Sequence, residues 1–236
     1  MLREIDGIEE ITMTTNGCLL AEHMDDLVAS GLDGINISID SMDPDRYHQI
    51  TRVGNLEDAL EGLEAAIKSG IKVKVNTVLC PGDDWKQMVE IARDNPVDVR
   101  FIETMPLGLA EKYAGACKGD ILEYFREHGI SLEEVEESRG NGPAVYYKPE
   151  GFMGNIGIIA PLHGKFCERC NRIRLSARGE VRPCLCYGQT LDVKECLRQG
   201  QPEDVGRILE EAIQGKPAAH RLEEAAGDAE MFRIGG

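Results

Sequence analysis

The chain has 236 residues, enough for one mid-sized domain and a smaller module, and its 42% apolar and 29% charged content excludes wholesale disorder. Acidic residues outnumber basic ones 42 to 26, a formal net charge of −16, so a phosphate backbone is repelled over most of the surface and general nucleic-acid binding is not expected. There is no run of 18 apolar residues and no basic stretch leading into an apolar one, so neither a membrane span nor a secretory signal is expected. The eight cysteines then read as reduced thiols or metal ligands of a cytoplasmic protein.

In chain order, residues 8–13 read as a short strand and residues 19–30 as an amphipathic helix, with Leu20, Met24, Leu27 and Val28 at helical spacing and Gly31 as its stop. A second strand is expected at 34–40 and a second helix at 55–69, closed by Gly70. A third strand follows at 71–79, a third helix at 84–94 and a fourth strand at 97–105. Strands alternating with helices of this length predict parallel βαβ units, an α/β fold with an open sheet or a (β/α) barrel. Four units are too few to close a barrel. The rhythm changes near Gly108, so the expected organisation is 1–107 and 108–236. The second region holds a helix at 120–128, an acidic loop at 131–142, strands at 144–148 and 155–160, a stretch rich in Gly, Cys and Arg at 164–188, and helices near 192–199 and 202–214.

Polar residues gather at or near the carboxyl ends of the four strands: Thr14, Thr15 and Asn16; Ser38 and Asp40; Asn76 and Thr77; Glu103 and Thr104. In parallel α/β folds that edge is where ligands bind, although Ser, Thr, Asn and Asp there also serve as turn and helix-cap residues. Asp40 and Asp43 are better read as caps than as acid–base groups. Lys72 and Lys74 alternate along the third strand, and a parallel strand buried on both faces carries lysines only at an edge or where one face lines a cavity. Lys74, nearer the carboxyl end, is the better phosphate contact.

The strongest local motif is Cys167-Glu168-Arg169-Cys170, with thirteen residues between it and Cys184. A CxxC turn sets two thiolates on one metal centre, and a third completes most of a tetrahedral set. Spacing alone leaves open a zinc ion, with Cys186 or His163 as fourth ligand, and a 4Fe–4S cluster on three cysteines. Directly after the motif comes Asn171-Arg172-Ile173-Arg174, which sets two guanidinium forks on one side of a strand. With so acidic a chain, a small anionic molecule docked at an open iron accounts for both features better than nucleic acid on a zinc knuckle. Cys18, Cys80, Cys117 and Cys196 are scattered and read as structural.

Taken in order, TTNG, NISIDS, KVKVNTV, RFIE-x-M, FCxxCNRIRL, the third cysteine and a terminal Ile-Gly-Gly make the chain resemble the GTP 3′,8-cyclases over nearly its whole length, from about Glu10 to Gly236. These are the radical S-adenosylmethionine enzymes that open molybdenum-cofactor biosynthesis. The resemblance implies an incomplete (β/α)6 barrel with a C-terminal iron–sulfur extension. It implies Cys167, Cys170 and Cys184 as ligands of a 4Fe–4S cluster whose open iron meets the GTP base. It implies Thr14, Lys74, Arg172, Ile173 and Arg174 as GTP contacts, Ser38 and Met105 as S-adenosylmethionine contacts, and a Gly-Gly tail that reaches the active site. The implied reaction starts when a 5′-deoxyadenosyl radical takes the C3′ hydrogen of GTP.

One departure is large. The family's CxxxCxxC, which holds the S-adenosylmethionine-cleaving cluster, and its GGEP strand have no counterpart here and would lie upstream of Met1. The expectation is therefore a polypeptide that is inactive alone, with the second 4Fe–4S cluster found only in a fuller chain, and with an unpaired edge strand near the start. Expected partners are GTP, S-adenosylmethionine, a second copy of the chain and the downstream cyclic pyranopterin monophosphate synthase. Two other classes fit the residues: a non-catalytic module that binds an iron–sulfur cluster and a purine nucleotide, and a zinc-stabilised α/β protein whose arginines meet a partner.

Overall fold

The computed structural model describes residues 1–82, 84–105, 115–137, 139–140, 142–164, 166–186 and 189–219. The terminal Gly235-Gly236 lies outside them. The chain divides into two compact units, residues 1–104 with 114–160, and residues 105–113 with 161–236.

The first unit is built on a mixed, mostly parallel sheet ordered β1-β2-β3-β4-β7-β6-β5. Its strands are β1 (Thr12–Thr15), β2 (Gly34–Ser38), β3 (Lys72–Leu79), β4 (Asp98–Glu103), β5 (Leu132–Glu134), β6 (Val145–Pro149) and β7 (Asn155–Ile159). Strands β1 to β4 and β7 run parallel, and β6 and β5 are added antiparallel. The crossover helices are α1 (Leu20–Ala29), α2 (Pro44–Thr51), α3 (Leu56–Ser69), α4 (Lys86–Asp94) and α5 (Lys118–Glu127). One sheet face is apolar: Ile35, Ile37, Val73, Val75, Val99, Phe101, Ile156 and Ile158 are all buried, in one core with Leu20, Met24, Leu63, Met88 and Phe125 from the helices. Helix ends follow local chemistry. Asn55 caps α3 by accepting the Glu57 N–H at 3.1 Å, and Gly70 ends the helix in the left-handed region.

Three expectations need correction. The first strand lies at 12–15 rather than 8–13, because its parallel partner starts at Gly34, opposite Thr12; before that, the Ile11 N–H is taken by the Asp33 carboxylate at 2.6 Å. Helix α2 went unread because Tyr47 is its one buried residue; Asp43 caps it, accepting the Arg46 N–H at 2.9 Å, as the cap reading of that aspartate expects. The acidic stretch at 131–142 opens with a strand, β5, which its pairing with β6 creates and its own exposed residues do not announce. As expected, the first strand stands at the sheet edge.

The second unit carries a small antiparallel sheet ordered β10-β9-β8, from β8 (Arg174–Leu175), β9 (Glu180–Arg182) and β10 (Leu191–Asp192), with helices α6 (Lys194–Arg198) and α7 (Pro202–Gln214). Its buried core is Val181, Val193, Ile208 and Ala212. Both helices lie where the periodicity expects them. Among the described residues no helix is long and apolar enough to cross a membrane.

Candidate functional site

The second face of the large sheet is polar. One row across it, in register, is Thr14, Asn36, Lys74, Asp98 and Asn155; the next row, two residues further along, is Ser38, Asn76, Arg100, Gly157 and Tyr146. Arg100 is buried and donates from Nε to Asn76 Oδ1 and from Nη2 to Asn36 Oδ1, each at 2.7 Å. Asn36 passes its own amide hydrogen to Thr14 Oγ1 at 3.3 Å. Asp98, also buried, accepts two parallel hydrogen bonds at 3.0 Å from Arg139 and one at 2.7 Å from Asn155.

Lys74 stands between these two systems. Its ammonium donates to the Arg139 carbonyl and sits 5.7 Å from the centre of the Tyr146 ring. Burial, and then the Arg100 charge, lower its pKa. The Asp98 and Glu10 carboxylates act on it in the opposite direction. Lys74 therefore lies half-buried on the polar face of an interior strand. Lys72 is exposed at the strand's start, near Glu10.

The structure sorts the polar residues at the strand ends into two groups. Thr15 and Asn16 hold the turn after β1, accepting the Gly17 and Cys18 N–H groups. Asp40 accepts the Val78 N–H at 2.8 Å, Thr77 donates to the Ile39 carbonyl at 2.8 Å, Glu103 accepts the Lys118 N–H at 3.0 Å and Thr104 donates to the Leu79 carbonyl at 2.5 Å. These six support the backbone. Thr14, Ser38 and Asn76 are left on the polar face. Sequence reasoning missed Asp98, Arg100, Arg139 and Tyr146; the signal available was the shared parity of Asp98 and Arg100 along a strand otherwise apolar. Met105, half-buried, follows Thr104 and falls in the second unit.

Within the second unit a tight 3-10 turn, Cys167–Arg169, carries the CxxC, with the Cys170 N–H donating back to the Cys167 carbonyl at 3.1 Å. The chain then runs extended: Arg172 and Arg174 are half-buried and Ile173 is 38% exposed, so the two cations do alternate with the apolar residue. Only Arg174 belongs to a strand, however. Arg172 precedes β8 and is held from elsewhere. The β8–β9 hairpin, with Arg174 opposite Arg182, returns the chain so that Cys184 follows β9 by two residues.

Four thiols and two cations influence one another here. The Cys184 thiol is held down at about 6, first by a hydrogen bond from Cys186 and further by the Arg174 and Lys216 charges. Cys186 is pushed up by that same bond, by burial and by the charges of Cys184 and Cys167. Lys216 reaches Cys170 Sγ at 3.6 Å. All eight cysteines are free thiols of intermediate exposure. Among the described residues no three His, Cys, Asp or Glu converge on a point as one ion requires. One zinc about 2.3 Å from each sulfur brings its thiols within about 4 Å of one another, whereas a 4Fe–4S cluster takes its cysteines on separate irons. Cysteine thiols are the donor chemistry such a cluster takes, and cations act on two of them, Lys216 at Cys170 and Arg174 with Lys216 at Cys184.

Sequence comparison adds to this geometry. The Radical SAM superfamily matches residues 1–94, and the family described as Molybdenum Cofactor Synthesis C matches residues 97–222. The chain is 36% identical over 242 residues to "GTP 3′,8-cyclase" of Clostridium perfringens (strain 13 / Type A), with all of this chain and 75% of the relative covered. It is 39% identical over 240 residues to the protein of that name from Peptoclostridium acidaminophilum, covering 73% of it, and 38% identical over 247 residues to that of Moorella thermoacetica, covering 75%. The chain thus spans about three quarters of the length of these relatives.

Proposed function

The chain belongs to the GTP 3′,8-cyclase family, a radical S-adenosylmethionine family of molybdenum cofactor synthesis, and from that premise we propose that it holds GTP for conversion to (8S)-3′,8-cyclo-7,8-dihydroguanosine 5′-triphosphate. What supports this reading is the CxxC turn of Cys167 and Cys170 with Lys216 3.6 Å from Cys170 Sγ, the Arg174 and Lys216 charges acting on Cys184, and the forked cations of Arg172 and Arg174 directly after the turn. A 4Fe–4S cluster on those three cysteines supplies, when bound, an open iron as a Lewis-acid docking point for a donor atom of guanine.

The chain's own residues divide the remaining work. Arg172 and Arg174 offer bidentate donors to the anionic nucleotide, and exposed Ile173 between them presents an apolar surface to a planar base. Thr14 and Lys74 form a second phosphate seat on the polar sheet face, Lys74 turning from the Arg139 carbonyl to the incoming anion. Ser38 and Met105 orient S-adenosylmethionine. No CxxxCxxC and no GGEP occurs among these 236 residues, and the proposal assigns radical generation to none of them. The product passes to the cyclic pyranopterin monophosphate synthase.

The test is anaerobic reconstitution with iron and sulfide, followed by EPR of the reduced protein with and without GTP. The reading expects a 4Fe–4S signal that shifts on adding GTP, and about tenfold weaker GTP affinity in Lys74→Gln and in Arg174→Gln, each losing one charge-assisted contact. No turnover is expected from this polypeptide with GTP, S-adenosylmethionine and reductant; steady product formation would refute its inactivity. The competing reading is a zinc site on Cys167, Cys170 and Cys184 with Cys186 as fourth ligand; the hydrogen bond between Cys184 and Cys186 brings two of these thiols together. Stoichiometric zinc uptake, with no iron signal and no response to GTP, would select it.

A further inference from the structure

We propose that Lys216 is a positioning residue of this nucleotide site: its ammonium clamps the backbone that leads into Arg172–Arg174 and sets a fixed positive charge beside the sulfur of Cys170. The proposal rests on the reading of Cys167, Cys170 and Cys184 as cluster ligands. Lys216 Nζ donates to the Cys170 carbonyl at 2.7 Å and to the Arg172 carbonyl at 2.9 Å, and it lies 3.6 Å from Cys170 Sγ. An ammonium has three hydrogens to give, and here three acceptors converge on it from a segment 44 to 46 residues earlier in the chain.

The anchor is rigid where it needs to be. Lys216 follows α7 directly after Gly215, and α7 buries Ile208 and Ala212 against Val181 of β9 and Val193. The two carbonyls bracket Asn171. Holding both fixes the direction in which the chain leaves the CxxC turn, and so fixes which side Arg172 and Arg174 occupy and which side Ile173 occupies. Arg172 lies outside β8, so sheet pairing does not fix its backbone, and the bond from Lys216 to its carbonyl holds it. A lysine that merely tied down a loop would need only the carbonyls. Its approach to the sulfur gives it a second effect, because a cation beside a cluster ligand favours the reduced, more negative state.

The experiment uses the full chain, reconstituted anaerobically, in three forms: unsubstituted, Lys216→Met and Lys216→Arg. Iron content, the midpoint potential of the cluster, and GTP affinity from the EPR perturbation are measured on each. Lys216→Met is expected to keep its iron, to shift the midpoint potential to a more negative value and to weaken GTP binding about tenfold. Lys216→Arg is expected to restore the potential, since the charge returns, but to recover GTP affinity only in part, since a planar fork does not reproduce the three-way clamp. If Lys216→Met loses its far-UV circular dichroism, Lys216→Gln, which keeps amide donors without charge, replaces it with the same readouts. Midpoint potential and GTP affinity both equal to the unsubstituted chain would overturn the proposal while leaving the cluster reading intact. Failure of the unsubstituted chain to take up iron brings down the cluster reading, and the proposal with it.

Discussion

Arg100 shows what it takes to put a charge inside a parallel sheet. Its guanidinium is buried, and Asn76 on adjacent β3 and Asn36 on β2 beyond it both accept from it at 2.7 Å, so its desolvation is met by hydrogen bonds. Asp98 is met differently, by the fork of Arg139 and the Asn155 amide. Nearer the surface, Asp33 ties the start of β1 to its neighbours: its carboxylate accepts the Ile11 N–H and pairs with Arg3, and these lower its pKa in that order. A carboxyl depressed in the folded state adds stability above its unfolded pKa and loses it as pH falls. Asp33→Asn, which keeps an acceptor for Ile11 but no charge, is therefore expected to melt below the unsubstituted chain at neutral pH. The gap should close below about pH 4 and shrink in high salt. Thermal melts across pH 3–8 check this; a gap unchanged at pH 3 would show that the charge plays no part. The reach of sequence reasoning at this scale is visible in β3 and β4. Lys74 announces itself by alternation with Lys72, whereas Arg100 lies between Val99 and Phe101 in a strand whose polar parity went unread.

Elements are positioned by close approaches that glycine permits. The turn after β1, the strand that holds Thr14 on the polar face, packs directly on α3. A Cβ added at Gly62 would stand 2.2 Å from the Gly17 carbonyl oxygen, and Gly17 itself has φ +83° with Ile37 Cγ2 at 2.9 Å from its own would-be Cβ. Gly62→Ala therefore sets two effects against each other. Alanine gains about 1 kcal/mol of helix propensity, but a contact that short on backbone cannot be relieved by a rotamer, and overpacking of this kind costs about 1–3 kcal/mol or more. A net loss is expected, read as a lower urea midpoint with unchanged slope, together with weaker GTP binding as Thr14 shifts. A stabilised variant would show that α3 does not rest on this turn. The same scale explains the two elements that periodicity missed. Helix α2 and strand β5 bury almost nothing of their own, so no apolar period marks them; a cap at Asp43 makes one and pairing with β6 makes the other.

For the molecule as a whole, the contrast is between two cores. The first unit buries a broad apolar face together with the aromatic group of Trp85, Phe101, Tyr124, Phe125 and Phe152, whose rings meet edge to face at 5.3–5.9 Å. The second rests, among the described residues, on Val181, Val193, Ile208 and Ala212. Metal–thiolate bonds of the proposed cluster would add to that core. Removing the reconstituted cluster with a chelator should thus lower amide protection across residues 161–219 and leave β1 to β4 as protected as before. Hydrogen exchange of the two preparations decides it, and equal protection of 161–219 in both would show that the second unit stands without metal.

Family membership and the βα alternation were legible in the sequence by itself, because each is written locally: ordered short motifs for the family, spacings of 3.6 and 2.0 for the elements. What only the tertiary structure decided is which polar residues face which way. Six of the strand-end residues turned out to satisfy backbone groups, and Thr14, Ser38 and Asn76 were left facing the polar side. Arg100, Asp98 and Arg139 joined them from strands and a loop far apart in the chain, and Lys216 came to the CxxC turn across more than forty residues. A hydrogen-bond partner that distant leaves no period in the sequence, because its position is set by how strands register and helices pack, and only the folded chain contains that information.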